Sequence, residues 1–301
     1  MTAVVSPAAP AGAVRDFLRL VVIEHSVFAL PFAYLAVLYA SSMYGHGGVR
    51  WVRLVLVTVA MVAARTFAMA VNRVVDRHLD AVNPRTAQRE LVTGAVAVRT
   101  AVVGSAVALA VFLAVCAVLS PLCLLLAPAA LALFVIYPYG KRFTWLCHGI
   151  LGLAQAIGPV GAWLATTGHW SWSSVLLGLA VGLWIGGFDL IYALQDLDSD
   201  RRTGVRSLPA RFGAVVALHV SEAAHVATLG LFVAFGAAQD AGPFWYVGVA
   251  GTAAAFAYEH AIVSPTDLSR VNRSFFATNG LVGIGLFGFG LADLLARGLH
   301  G

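Results

Sequence analysis

Residues 97–118 read AVRTAVVGSAVALAVFLAVCAV, with no charge after Arg99, and only the Ser120-Pro121 step parts this run from a second apolar run at 121–138. A helix crossing about 30 Å of hydrocarbon needs about 20 apolar residues in succession. Two such runs joined by a Ser-Pro step predict a tight pair of membrane helices. Similar runs recur at about 17–40, 52–75, 146–166, 173–195, 212–236, 243–261 and 276–297, which makes nine in all. Composition agrees. Of 301 residues, 60% are hydrophobic and 11% are Asp, Glu, Lys or Arg, where a soluble chain carries roughly 25% charge. A soluble globular enzyme is excluded, and the expected fold is an all-α polytopic membrane protein. The Ala/Pro-rich residues 1–16 are expected to form a disordered tail, and 17–301 a single transmembrane domain.

The basic residues predict the orientation. Eighteen of the nineteen are arginine, and Lys141 is the only lysine. Fifteen lie in the N-terminal segment or in loops after even-numbered runs, against Arg50, Arg53 and Arg297 on the other side, with Arg65 inside the second run. Cytoplasmic loops carry the excess of Lys and Arg, so the N-terminus is expected in the cytosol and the C-terminus outside. A net charge of +5 is too sparse for a nucleic-acid surface, and no nucleic-acid partner is expected. Cys116, Cys123 and Cys147 lie in or beside apolar runs without disulfide or metal-ligand spacing, and read as buried small hydrophobes. The Ala/Pro-rich N-terminal segment carries no basic residue before Arg15, so no cleaved secretory signal is expected.

Six of the fourteen acidic residues fall in two short segments, NRVVDRHLD (72–80) and DLIYALQDLDSD (189–200). Each closes an apolar run and opens a basic loop on the predicted cytosolic side, so the two can face one another across a cavity mouth. Asn72, Asp76 and Asp80 recur every four residues, which stacks them on one helix face, and Arg65 lies two turns deeper on that face. Asp189, Asp196 and Asp200 are expected to share a face in the same way, with Asp198 pointing elsewhere. Stacked carboxylates beside hydrocarbon repel and require a counter-ion. Oxygen-only ligands favour a hard cation, and Mg²⁺ commonly takes one or two carboxylates together with substrate phosphate oxygens. Solvated, idle charges at helix ends are the alternative. An EF-hand is a poor fit, because DLDSDRRTG lacks the required glycine and glutamate.

The two segments resemble the aspartate-rich motifs of the UbiA superfamily of intramembrane aromatic prenyltransferases. The resemblance covers nearly the whole chain, from IEHSVFALPFA (23–33) to the last run. It implies a bundle of nine transmembrane helices around a cytosol-facing central cavity, with Mg²⁺ as cofactor and an isoprenoid diphosphate and an aromatic acceptor as substrates. The first motif keeps Asn72, Asp76 and Asp80 but has Arg73 where the family has its first aspartate. DAVNPRTAQRELVTG resembles the family's following basic segment through Arg85, Thr86, Arg89 and Leu91, with Val92 in place of a proline. The second motif is complete as Asp189, Tyr192, Ala193, Asp196 and Asp200, and YPYGKRF (137–143) resembles the basic loop that holds the diphosphate. IEHSVFALPFA, NPRTAQREL, DLIYALQD and SLPARFG are most similar to the quinone-pathway branch, particularly its menaquinone members of the futalosine route, with a dihydroxynaphthoate acceptor. The sister ubiquinone enzymes use 4-hydroxybenzoate.

The resemblance implies that Asn72, Asp76, Asp80, Asp196 and Asp200 ligate two Mg²⁺ ions, the four aspartates being catalytic. Lys141 and Arg142, with Arg73 or Arg77, would hold the diphosphate. Arg65 is the expected partner of an acceptor carboxylate, the alternative being a structural pairing with Asp189 or another helix. Asp189, Tyr192 and His25 are the other expected acceptor contacts. Glu24-His25 and Glu259-His260 are intramembrane polar pairs for which an interhelical contact and a cavity role are both open. Asn272, Arg273 and Asn279 are expected near the same cavity mouth. The expected location is the bacterial inner membrane. Other readings are a different acceptor (haem, chlorophyll-type or homogentisate) or a cation transporter; against transport, the acids lie at one membrane face, with no midplane relay and no inverted repeat.

Overall fold

The computed structural model describes residues 17, 20–21, 30–44, 50–273 and 278–298. The predicted tail over 1–16 lies outside them, as do Glu24 and His25. The main helices are α1 (Leu30–Tyr44), α2 (Trp51–Val82), α3 (Val98–Leu119), α4 (Pro121–Phe143), α5 (Cys147–Thr167), α6 (Trp172–Ala193), α7 (Ala214–Ala238), α8 (Pro243–Ile262) and α9 (Asn279–Ala296). Among the described residues the only β pairing is an isolated bridge between Ser264 and Asp267. Among the described residues seven helices are long and apolar enough to cross a membrane. Of the nine expected spans, two fall short by that measure. α1 is apolar but has only fifteen described residues, and α8 carries Glu259 and His260 in its last turn.

Sequence accounts for the punctuation. Ser120 accepts a hydrogen bond from the Cys123 amide at 3.1 Å, and Pro121 takes the first position of α4, where its missing N–H costs nothing. The α3–α4 turn is therefore as tight as expected. At 32 residues and 1.5 Å per residue, α2 is about 48 Å long, well beyond a ~30 Å hydrocarbon layer. Its last turns, which carry the first aspartate motif, can project past the lipid. Outward side chains such as Leu125, 74% exposed, would be an aggregation hazard in water and cost nothing in lipid.

α5 and α6 cross at glycines. A Cβ on Gly152 would stand 2.5 Å from the Gly182 carbonyl oxygen, and one on Gly182 would stand 2.6 Å from that of Gly152. Backbone touches backbone there, as small residues permit. α6 packs in turn on α7, α8 on α9, and α1 on α5 and α9, around a fully buried aromatic cluster of Phe32, Tyr39, Trp184, Phe232, Phe235 and Trp245. Two of the three arginines assigned to the sparsely charged side, Arg53 and Arg297, are tied to the bundle. Arg53 donates to the Leu119 carbonyl at 2.8 Å and to that of Ala165, and Arg297 donates to the Gln239 and Asp240 carbonyls at 2.8 and 2.7 Å. Each satisfies carbonyls at helix C-termini, where cations are favoured.

One expectation needs correction. The second motif does not continue one helix, because α6 ends at Ala193, a 3-10 turn covers Leu194–Asp196, and a new helix runs Leu197–Thr203. The tighter turn changes the angular phase, yet Asp189, Asp196 and Asp200 still line one cavity. Of the two roles left open for Glu259-His260, the interhelical contact is the one found. Glu259 is fully buried, and His260 Nε2 lies 3.0 Å from His225 Nδ1 on α7.

Candidate active site

The ends of α2, α4, α5 and α6 and the segments following α2 and α6 enclose a polar cavity of about 340 Å³. The two aspartate motifs line the same cavity, as their placement in sequence suggested. Asp76, 1% exposed, receives Asn72 Nδ2 at 3.1 Å and Lys141 Nζ at 2.5 Å on one oxygen, and Arg142 Nη1 at 3.0 Å on the other. One turn on, Asp80 receives Arg89 Nη1 at 2.6 Å. Lys141 and Arg142 sit in the last turn of α4, where cations also favour the helix terminus.

The second motif reaches across to the segment that follows α2. Asp196 receives Asn83 Nδ2 and Arg85 Nε, both at 2.8 Å, while Arg85 Nη1 also donates to the Tyr192 hydroxyl at 3.1 Å. The Arg85 guanidinium lies 5.1 Å from the Tyr192 ring centroid, within cation–π range. Burial works against the Arg85 charge, but the hydrogen bond and charge of Asp196 outweigh it and push its pKa above the ordinary arginine value. Asp200 accepts from the Ser207 hydroxyl at 2.7 Å. Asp198 is exposed and points away, as expected.

The donors suit a hard cation. Asn72, Asp76, Asp80, Asp196 and Asp200 all line the cavity and offer only oxygen to a metal. Among the described residues no three carboxylate, imidazole or thiolate groups gather tightly enough to cage an ion. That pattern fits Mg²⁺, which usually takes one or two carboxylates and completes its shell with water and phosphate oxygens, better than an all-protein site.

Deeper in the bundle, Arg65 lines both this cavity and a second, almost wholly apolar one of about 370 Å³ among α2, α3, α4 and α5. Its Nε is buried without a hydrogen-bond partner. Among the described residues no ion pair joins Arg65 to Asp189, whose Oδ2 lies 2.6 Å from Nδ1 of His148. Arg73 is buried on the cavity wall and donates from Nε to the Leu20 carbonyl at 3.3 Å. Arg77 is half-buried and not on the wall, because it follows Asp76 by one position and so points off that helix face. Asn279 accepts from Trp184 Nε1 at 2.8 Å instead of reaching the cavity. Asn272 is exposed, and His25 lies outside the described residues.

Sequence reasoning missed His148, Gln155, Tyr137, Asn83 and Ser207, all on the cavity wall. For His148 there was a signal. An ionisable residue inside an apolar run is a functional candidate by default, and this one opens α5.

The profile of the UbiA prenyltransferase family matches residues 29–281. A protein of Pseudomonas fluorescens (strain SBW25) named 4-hydroxybenzoate octaprenyltransferase is 29% identical over 260 residues, 86% of this chain and 87% of that one. The apo structure of a UbiA homolog from Aeropyrum pernix K1 is 36% identical and superposes with a TM-score of 0.80, covering 90% of this chain and 98% of that one. A UbiA homolog from Archaeoglobus fulgidus, solved bound to DMAPP and Mg²⁺, shares the fold at a TM-score of 0.70 and 18% identity, over 93% of this chain and 99% of that one. Because the profile spans both aspartate segments and the helices that carry them, the chain belongs to the UbiA prenyltransferase family and is an intramembrane prenyltransferase.

Proposed function

We propose that this enzyme transfers a polyprenyl group from an isoprenoid diphosphate to a hydroxylated aromatic carboxylate in membrane quinone biosynthesis, with Mg²⁺ as cofactor. One observation carries the assignment: Asp76 and Asp196 line one cavity, each beside basic side chains, with Arg65 deeper on the same wall. Mg²⁺ held by Asn72, Asp76, Asp80, Asp196 and Asp200 would supply positive charge to the leaving diphosphate. Lys141 and Arg142 turn from Asp76 to the phosphate oxygens, and Arg73 adds charge from the wall. Fixed cations in a water-poor site stabilise developing negative charge far better than water does. Tyr192 offers a π face to the allylic cation. The apolar second cavity takes the prenyl tail.

Arg65 holds the acceptor carboxylate. A buried arginine whose Nε lacks a protein partner is costly without an anion, and its planar fork suits a carboxylate. The name of the Pseudomonas fluorescens relative supports a 4-hydroxybenzoate acceptor, and the flanking segments quoted above support a dihydroxynaphthoate; both have a carboxylate and a ring hydroxyl. The basic-residue asymmetry, fifteen against three, supports a cytosol-facing site. With α1 and α8 counted as spans, nine helices would put the N-terminus in the cytosol and the C-terminus outside, in the bacterial inner membrane.

The test is purified protein with Mg²⁺, a polyprenyl diphosphate and a panel of hydroxybenzoate and dihydroxynaphthoate acceptors, read by mass spectrometry. A prenylated product from one of them is expected, and Arg65→Ala should raise the KM of that acceptor more than that of the diphosphate. Product from none, or an equal effect of Arg65→Ala on both KM values, contradicts the respective assignment.

A further inference from the structure

His148 stands in the first turn of α5 with Nδ1 2.6 Å from Asp189 Oδ2 on α6. An ionised carboxylate only accepts, so a hydrogen sits on Nδ1, and in the neutral imidazole Nε2 keeps its lone pair. His148 is 7% exposed, and its Nε2 is buried with no hydrogen-bond partner. A buried acceptor left unmatched costs free energy, and such atoms are rare in native proteins. His148 nevertheless lines the polar cavity shared with Arg65 and Tyr192. A carboxylate that fixes the tautomer and orientation of an imidazole whose other nitrogen is open makes that nitrogen a directed base.

We propose that His148, oriented by Asp189, is the proton acceptor for the ring hydroxyl of the aromatic acceptor. The inference rests on the transfer reaction proposed above. The O–H bond breaks, its proton goes to Nε2, and the electron pair stays on oxygen and enriches the ring. The C–O bond to the diphosphate breaks, the diphosphate leaves with the electron pair of that bond, and a ring carbon bonds to the allylic cation so formed. The ring proton at the attacked carbon is finally lost as the hydroxyl reforms. One proton net leaves the acceptor, carried by His148, and the charge of the resulting imidazolium is balanced by Asp189. The pairing also gives Asp189 a different task from direct acceptor binding, as a positioning residue that acts through His148.

The ionisable groups near His148 are Asp189 from α6, Cys147 beside it on α5, Tyr137 from α4, Asp76 from α2 and Asp200 from the segment after α6. A pH profile alone would mix their titrations, so the discriminating variable is the acidity of the acceptor hydroxyl. Steady-state kcat and KM are measured with 4-hydroxybenzoate and with ring-fluorinated analogues of more acidic hydroxyl, for the unsubstituted protein, His148→Gln and Asp189→Asn, each checked for helical content and monodispersity. His148→Gln should lower kcat about 10²- to 10⁴-fold with 4-hydroxybenzoate, the range for a lost general base. The deficit should shrink as the hydroxyl becomes more acidic or the pH rises, because an acceptor that ionises unaided needs no base. Asp189→Asn should show the same trend more weakly, and it carries the comparison if His148→Gln does not fold. A loss equal for every acceptor, or kcat retained in His148→Gln, overturns the proposal and leaves the transfer reaction standing. No product from the unsubstituted protein with any acceptor overturns the transfer reaction, and the base proposal with it.

Discussion

Lys141 Nζ stands 2.5 Å from Asp76 Oδ2, and Arg142 contacts the other oxygen of that carboxylate at 3.0 Å. The last turn of α4 is thereby fastened to the first aspartate motif on α2. Lys141→Ala should weaken both diphosphate use and the fold. A hydrogen bond to a charged group contributes about 1.5–3 kcal/mol, or roughly ten- to a hundredfold in kcat/KM for the diphosphate. Asp76 is 1% exposed but keeps Arg142 and Asn72 when Lys141 is removed, so the stability cost should exceed the ~1 kcal/mol of a surface ion pair and stay below the roughly 3–5 kcal/mol of an unpaired buried charge. Steady-state kinetics and thermal unfolding in detergent check the two halves.

The contact of Gly152 with the Gly182 carbonyl predicts a sharp contrast within one helix. Gly152→Val must push α5 from α6, and overpacking of this kind costs about 1–3 kcal/mol or more. Gly149, three positions earlier, has open space at its Cβ. Gly149→Ala should therefore be neutral or stabilise by up to about 1 kcal/mol through helix propensity. Thermal unfolding of both variants reads the difference, and the Gly152 variant should also lose activity, since the crossing sets the His148–Asp189 distance.

Arg53 begins α2 at the end opposite the cavity and bonds the carbonyls of Leu119 and Ala165. Arg53→Ala should lower stability by about 1–3 kcal/mol, the cost of leaving buried acceptors unmatched, with the KM of the aromatic acceptor, bound in the polar cavity, unchanged. A change in that KM at constant stability would contradict a purely structural role.

Legibility in the sequence followed periodicity. Asn72, Asp76 and Asp80 sit on one α-helix as their four-residue spacing requires, and Ser120-Pro121 turns where a cap and an N1 proline should. The 3-10 turn at Leu194–Asp196 was not legible, because spacing alone does not distinguish 3.0 from 3.6 residues per turn; what holds Asp196 in place is tertiary, its bonds to Asn83 and Arg85. Charge counting could assign Arg53 and Arg297 to a side of the membrane but not to the carbonyls they bond. The His148–Asp189 pair spans 41 positions and depends on the glycine crossing of α5 and α6, which a lone histidine in LCHGILG does not reveal.

The central claim is that the two aspartate motifs act together on one diphosphate through Mg²⁺. Its most direct measurement is prenyl transfer by the unsubstituted protein, Asp76→Asn and Asp196→Asn as Mg²⁺ is titrated from EDTA-treated protein. Transfer should be absent without Mg²⁺, rise to saturation with it in the unsubstituted protein, and be lost in both variants at every Mg²⁺ concentration while both remain folded. Turnover without a divalent ion, or turnover retained in either folded variant, would contradict the claim.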